Sequence, residues 1–377
     1  MNLTKRLFLG LGIGVSAFAF SQNVQPVLTG APFLRISPDA RAGGMGDQGV
    51  VTSTDVFSQF WNAAKYPFAK VSSGFGVNYT PYMSKLTSDV FLLYGSFYTF
   101  LGDEERSTLS ASIYYFNMGE VDLTSIVGND VQQMGTSKPN EFSIDLAYGL
   151  KLTDTYSMAV TGRFIRSDLG GNFGSTDGTL KPANTFAVDV SGYFMSPKHE
   201  SISGYEGRVK AGWAVQNLGP KLDYTGDEES RSYLPTMARL GLGYDLLIDD
   251  QNRFSLSGEA SKILVPGPDE TTGQIPNVGV MEGIGKSFSN KKSIMFSGAA
   301  EYSYDETFAL RAGYFTEAPE QGARQYATVG VGFKYASFGL DLSYLINTSK
   351  INSALDNTLR FGLTWNIGSE TYNATDY

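Results

Sequence analysis

Apolar and polar residues alternate along short segments that follow one another from about Val71 to Ile367. A period of two places successive side chains on opposite faces of a β-strand, and no helix presents such faces. In the clearest segment, the polar positions begin at Ser143 and Asp145. The apolar positions of the same segment are Phe142, Ile144, Leu146, Tyr148, Leu150 and Leu152. The pattern predicts strands with one apolar and one polar face.

Fourteen segments of this kind can be counted, each of about the ten residues that a tilted strand needs to cross a bilayer. Their even number is typical of bacterial single-chain barrels. The sequence therefore predicts an all-β membrane protein, a 14-stranded antiparallel outer-membrane β-barrel over residues 71–368. The predicted strands are 71–81, 90–101, 107–117, 141–152, 156–167, 184–195, 207–216, 236–247, 252–263, 293–303, 307–316, 326–335, 338–347 and 358–367.

The connections between these segments alternate between short and long. Residues 153–155 and 336–337 are short, whereas 118–140 and 264–292 are long. Outer-membrane barrels carry short periplasmic turns and longer outer loops, so we expect the long loops to be extracellular and both termini to be periplasmic. Residues 278–288 could form a fifteenth strand. We interpret them as loop structure, because Met281, Ile284, Gly285 and Phe288 fall at helical spacing.

The two ends of the chain differ from the alternating part. Residues 1–22 begin with Lys5 and Arg6, continue with an apolar stretch and end in small residues, as secretory signal peptides do. Residues 369–377 are expected to form a periplasmic tail. Between the signal and the barrel, residues 23–70 lack the alternation, and Pro26, Pro32 and Pro38 interrupt extended structure there. Together these features predict four parts: 1–22, 23–70, 71–368 and 369–377.

Residues 23–70 are predicted to form a hatch, or plug, that closes the pore. Ser53 or Thr54 can cap a helix in which Phe57, Phe60, Trp61 and Ala64 share one face at helical spacing. That apolar face needs a partner, and the barrel lumen or its periplasmic rim is the nearest one. The predicted hatch residues are Phe57, Phe60, Trp61 and Asn62.

Composition narrows the possible functions. Only 18% of residues are charged, and the chain has no cysteine, one histidine and a net charge of −9. The acidic balance argues against a nucleic-acid partner, and the residue inventory predicts no metal site and no cofactor. His199 lies in the connection 196–206 near Ser196, Ser201 and Ser203, but a catalytic triad requires mutual geometry. We therefore predict no catalytic residue and interpret His199 as a solvated turn residue.

Two sets of residues could interact with partners. The glycine-rich loop 168–183 contains Gly171, Phe173 and Leu180, and an apolar tip on a positioned loop can dock a partner. The alternative is a solvated surface loop.

Charged residues of both signs also fall on the polar faces of the strands. These could be paired charges that fill a wet interior, or they could line a path for hydrophobic small molecules, and we favour pairing. They are Arg163, Asp189, Arg239, Glu259, Arg311, Asp341 and Arg360.

Two regions of the sequence contain distinctive runs of contiguous residues. The first contains Ser-Pro-Asp-Ala-Arg-Ala-Gly-Gly-Met-Gly-Asp at 37–47 and Phe-Trp-Asn-Ala-Ala at 60–64. The second contains Phe-Ala-Leu-Arg-Ala-Gly-Tyr-Phe at 308–315, Leu-Asp-Leu-Ser-Tyr-Leu at 340–345 and Asn-Thr-Leu-Arg-Phe at 357–361. Both regions resemble the PorV family of the type IX secretion system, and together they bracket the mature chain. Ala63 departs from the proline that is common in the family, which leaves the local geometry of the hatch open.

The resemblance implies a FadL-like barrel with fourteen strands, a hatch and a non-enzymatic role in protein export and gliding motility. The implied partners are a large translocon barrel similar to SprA or Sov, cargo proteins with a type IX C-terminal domain, the cell-surface attachment machinery and outer-membrane lipid. FadL-like transport of hydrophobic small molecules is the alternative. Lipid A deacylation, proposed for some relatives under the name LptO, is a remote one.

Overall fold

Fourteen antiparallel strands form a closed barrel in the part of the chain that the computed structural model describes, residues 27–83, 87, 89–127, 130–170, 181–201, 204–269, 273–290, 293–350 and 354–371. Each agrees with a predicted segment to within two residues at either end. The strands, β1 to β14 in chain order, span Ser73–Pro81, Val90–Leu101, Ser107–Met118, Asn140–Thr153, Tyr156–Asp168, Ala183–Met195, Glu206–Leu218, Met237–Leu247, Asn252–Ile263, Ile294–Tyr304, Phe308–Glu317, Gln325–Tyr335, Phe338–Asn347 and Leu359–Asn366.

The barrel closes because the last strand pairs with the first. Along this seam Phe75 lies opposite Trp365 and Tyr79 lies opposite Phe361. Every other pair of sequential barrel strands is also antiparallel, and β7 pairs with β8 in an unbroken register from Glu206–Leu247 to Gln216–Met237. Closure leaves no free edge among the barrel strands, as lipid requires. The fourteen-stranded antiparallel prediction is confirmed.

The alternation seen in the sequence separates the outer wall from the lumen. Outward side chains are apolar and exposed, for example Phe186 (67%) and Leu240 (65%). Inward side chains of the same strands are polar and buried, for example Asp189 and Arg239. An apolar outer wall around a polar interior is the arrangement of an outer-membrane barrel. No helix in the described residues is long and apolar enough to cross a membrane.

The long connections carry their own structure. Between β3 and β4, the segments Val121–Val127 and Asp130–Ser137 pair as a hairpin outside the barrel sheet. Between β9 and β10 lies a helix, Val280–Ser287. The interpretation of residues 278–288 as loop structure rather than a strand is thus confirmed.

The N-terminal segment, residues 27–70, contains four short helices. They are a 3₁₀ turn Pro32–Arg35, α1 Ala40–Gly43, α2 Ser58–Trp61 and a 3₁₀ stretch Ala63–Phe68. The single helix predicted with a Ser53 or Thr54 cap is therefore wrong in detail. The Asp55 carboxylate instead accepts the Phe57 backbone N–H, and Asn62 ends α2 in an extended conformation.

The N-terminal segment runs from one end of the barrel to the other. At the end with the long connections, the Gly30 N–H donates to the Tyr233 carbonyl at 2.8 Å. At the end with the short turns, the Thr371 hydroxyl donates to the Ala69 carbonyl at 2.7 Å. The first and last described residues thus lie at opposite ends of the barrel. That both termini are periplasmic stays a prediction. Phe33 finds an aromatic partner in Tyr114 at the long-connection end, with ring centroids 5.3 Å apart.

Candidate functional site

The inner wall of the barrel contacts the N-terminal segment through an aromatic cluster. Phe60 lies 6.1 Å from Tyr94 of β2 and 5.9 Å from Tyr114 of β3, measured between ring centroids, and both contacts are edge-on. Phe57 also lies 6.1 Å from Tyr94. Edge-to-face aromatic pairs are worth about 0.5–1.5 kcal/mol each beyond the area they bury. The apolar face predicted around Phe57 therefore has its partner in the barrel wall.

Trp61 and Asn62 add directional hydrogen bonds to this cluster. The Trp61 indole Nε1 donates to Asp39 Oδ2 at 2.5 Å, and the other oxygen of Asp39 caps α1. Asn62 Nδ2 donates to the carbonyls of Val50 at 2.9 Å and Gly192 at 3.0 Å. All four residues predicted for the hatch are buried and lie in one region of the lumen.

A chain of buried charges joins the N-terminal segment to three strands. Arg41 pairs with Asp55 at 2.7 Å and with Glu301 of β10 at 3.1 Å. Glu301 also accepts from Arg311 of β11 at 2.6 Å, and Arg311 pairs with Asp341 of β13 at 2.5 Å. Removing one member of a buried pair typically costs 3–5 kcal/mol, because the remaining charge stays buried without compensation. This chain therefore ties residues 41–55 firmly to the wall.

A second group of charges holds residues 47–50. Asp47 pairs with Arg360 of β14 at 2.9 Å and accepts from the Tyr326 hydroxyl at 2.6 Å. The Glu259 carboxylate accepts two backbone N–H groups, from Gly49 and Val50, both at 3.1 Å. The other carboxylate oxygen of Glu259 accepts from Arg239 Nη1 at 2.8 Å, and the two side chains form an ion pair.

The seven inward charges predicted from the sequence are all paired in the structure. Besides the pairs above, Arg163 of β5 lies 2.8 Å from Asp145 and 3.0 Å from Asp189. The structure thus favours the interpretation of these residues as mutual partners. Sequence reasoning missed their counterparts in the N-terminal segment, Arg41 and Asp47, although both lie in the 37–47 stretch that carries the family resemblance.

Glycines allow the N-terminal segment to approach the wall closely. A Cβ atom at Gly44 would lie 2.9 Å from the Cα of Gly330 on β12. Gly46 has φ +70°, in the left-handed region that favours glycine, and its N–H donates to the Thr328 hydroxyl at 2.8 Å. At these positions the backbone of the N-terminal segment lies against the backbone of the barrel wall. A side chain there would prevent this close approach.

The predicted partner-binding residues Gly171, Phe173 and Leu180 lie outside the described residues. The chain next to them is anchored, since the Lys181 N–H donates to the Tyr224 carbonyl at 2.7 Å.

His199 has no catalytic arrangement around it in the described part of the chain. It is exposed in a two-residue strand, His199–Glu200, that pairs with the start of β7. Its ring lies 5.9 Å from that of Tyr244, and the Tyr244 hydroxyl donates to the Ser201 hydroxyl at 2.7 Å. Ser201 is therefore engaged by a tyrosine rather than by His199. Ser203 lies outside the described residues.

A closed barrel with an apolar wall and a charged, internally paired lumen defines an outer-membrane β-barrel protein. The family model described as "Type IX secretion system protein PorV" matches residues 19–270. The chain belongs to the PorV family, a family of secretion components, which confirms the resemblance seen in the sequence.

The fold is similar to that of a solved structure. The Pseudomonas putida toluene transporter TodX matches with a TM-score of 0.51 and 9% identity, over 87% of this chain and 99% of that one. A Pseudomonas aeruginosa FadL homologue matches with a TM-score of 0.47 and 12% identity, over 87% and 98%. At 9% identity the likeness to TodX concerns the fold alone. No curated protein matches the sequence.

Proposed function

We propose that this protein is a non-enzymatic component of the type IX secretion system that binds the translocon barrel and receives cargo proteins bearing a C-terminal signal domain. The family match over residues 19–270 is the observation that carries the proposal. Passing cargo to the cell-surface attachment machinery would complete this role.

In this proposal the N-terminal segment acts as a plug that closes the lumen. The aromatic contacts of Phe60 and the ion pairs of Arg41 and Asp47 support the idea, because each joins this segment to a different part of the wall. A closed lumen leaves the loops and the outer wall as the surfaces available to partners.

The proposed orientation places the long connections outside the cell and the short turns in the periplasm, as is usual for outer-membrane barrels. The N-terminal segment then starts near the extracellular mouth, beside Tyr233, and ends at the periplasmic side, beside Thr371. A signal peptide over 1–22 would be removed before the barrel assembles.

Copurification tests the proposed partnership. An affinity-tagged chain should bring down a much larger barrel, and blocking cargo export should change the amount of bound cargo but not the identity of the barrel. An equally tagged unrelated outer-membrane barrel serves as the control. Recovery of no large partner under either condition would contradict the proposal.

Loop 168–183 is the proposed docking element. Deleting residues 171–178 should reduce translocon association and cargo secretion while leaving the barrel folded. Shortening the paired segments Val121–Val127 and Asp130–Ser137 between β3 and β4 gives a control at the same end of the barrel. Normal secretion with the first deletion would remove the docking role.

Transport of hydrophobic small molecules is the second candidate, favoured by the fold shared with the toluene transporter TodX. The buried ion pairs of Arg163 and Arg239 oppose it, because a hydrophobic solute would gain little from passing paired charges. Liposomes containing the protein should therefore show no uptake of toluene above that of empty liposomes. Saturable uptake would favour the transporter instead.

A further inference from the structure

A cavity of about 220 Å³ opens at the short-turn end of the barrel, below the ion pairs of the lumen. Its wall includes the end of the N-terminal segment, the turn between β10 and β11, and the neighbouring ends of β9 and β12. The charged side chains that line it are Arg41, Asp55, Lys70, Arg253, Glu301, Glu306, Arg311, Lys334 and Asp341.

The charges in this cavity are unevenly distributed. In its depth, the two cations Arg41 and Arg311 pair with three carboxylates, so this part carries one excess negative charge. The three carboxylates are those of Asp55, Glu301 and Asp341. Near the mouth, three cations, Lys70, Arg253 and Lys334, accompany the single carboxylate of Glu306. Lys70 pairs directly with that carboxylate. The mouth therefore carries an excess of positive charge.

Arg253 and Lys334 have no acidic side chain within ion-pair distance among the residues that the structure describes. Within the described part of the chain, the Nε atom of Arg253 is buried and has no hydrogen-bond acceptor. A guanidinium N–H that is buried and unpaired is costly, and it marks a position where an acceptor would be favoured.

The electrostatics of the turn are consistent with this excess. Burial alone would raise the pKa of the Glu306 carboxyl, but Lys70, followed by Arg253 and Lys334, holds that pKa below its ordinary value. Burial lowers the pKa of Lys70, and Arg253 and Lys334 lower it further against the opposing effect of Glu306. Both observations place Arg253 and Lys334 close enough to act on the same region.

We propose that the mouth of this cavity binds an oxyanion, a carboxylate or a phosphate group, through Arg253 and Lys334. Arg253 offers a planar fork that matches either group in a bidentate manner, and Lys334 adds a mobile point charge. The unpaired Nε of Arg253 supplies the first donor. This site is independent of the docking role proposed for the loops, because it lies at the opposite end of the barrel.

Titration calorimetry on the full chain in detergent micelles tests the site with two probes. One is inorganic phosphate, and the other is the peptide acetyl-Gly-Gly-Gly with a free carboxylate, compared with its amide. We expect saturable binding of at least one oxyanion, no binding of the amide, and weaker binding as salt screens the charges. Tighter binding of phosphate would identify a phosphate ligand, and tighter binding of the acid peptide would identify a carboxylate ligand.

Variants separate the site from general charge effects. R253Q and K334Q should each weaken binding about tenfold, as expected for the loss of a charged hydrogen bond, and R253K should recover part of it. K286Q removes the same charge from the exposed helix Val280–Ser287 at the other end and should bind as the wild type does. If R253Q does not fold, K334Q still tests the site, because it changes a different cation. No saturable binding of either oxyanion, or equal losses in K286Q and K334Q, would overturn it.

Discussion

Replacing Glu301 by glutamine is the sharpest test of how the N-terminal segment is held in the lumen. The Glu301 carboxylate accepts from Arg41 Nε at 3.2 Å, from Arg41 Nη2 at 3.1 Å and from Arg311 Nε at 2.6 Å. Its side chain is only 3% exposed, so water screens the charges of the neighbouring guanidiniums poorly when the carboxylate is removed. E301Q keeps the shape but leaves two buried guanidiniums with one carboxylate fewer.

The expected destabilisation is about 3 kcal/mol, at the lower end of the range for breaking a buried pair. The lower end applies because the amide oxygen of glutamine still accepts one hydrogen bond, and because Asp55 and Asp341 continue to pair with Arg41 and Arg311. The loss should fall mainly on the contact between the N-terminal segment and β10. The barrel strands keep their own backbone hydrogen bonds.

Two assays read this out. Urea unfolding of the refolded protein in lipid vesicles measures the free energy of unfolding, and conductance across a planar bilayer measures whether the lumen has opened. We expect E301Q to lower the free energy of unfolding and to raise the conductance. The control is E120Q, because Glu120 pairs with Lys138 where both side chains are largely exposed, and exposed pairs are worth at most about 1 kcal/mol.

The reasoning would be refuted if E301Q unfolded like E120Q and conducted like the wild type. A loss of stability without a rise in conductance would support the stabilising role of the ion pair. It would contradict the proposal that the N-terminal segment closes the lumen.

Three further substitutions test other contacts of the N-terminal segment by the same unfolding assay. F60A should cost about 3–5 kcal/mol, because it empties the space between Tyr94 and Tyr114; a cost below that of the exposed substitution F338A would contradict this packing. N62A should cost about 1–3 kcal/mol, since two buried carbonyls lose their donor, and N62D should not restore it. G46A should cost about 1–2 kcal/mol through its left-handed backbone, whereas G285A, in a helix with open space around it, should be neutral or stabilising.

The strands could be predicted closely because a period of two is a local property of the chain. Each strand needs only its own residues to alternate between lipid and lumen, so the count of fourteen did not depend on any long-range contact. The helix Val280–Ser287 was recognisable for the same reason, through its own spacing. The predicted helix near Phe57 was wrong in extent because Asn62 bonds to the wall, and this contact is not visible in the local pattern.

Membership of the PorV family was also recognisable from the sequence, since its motifs are contiguous runs of residues. The motifs did not reveal which residues their side chains contact. Arg41 and Asp47 are the fifth and eleventh residues of the first motif. Their partners, Glu301 and Arg360, lie more than 250 residues further along the chain.

The sequence by itself determined the number of strands, the side that each side chain faces and the polarity of the lumen, because alternation is decided residue by residue. Only the tertiary structure decided which inward charges pair, where the N-terminal segment runs and which cations at the short-turn end have no acidic partner in the described chain. An inward arginine can pair with any carboxylate that closure and register bring within reach. That choice is made by the geometry of the closed barrel.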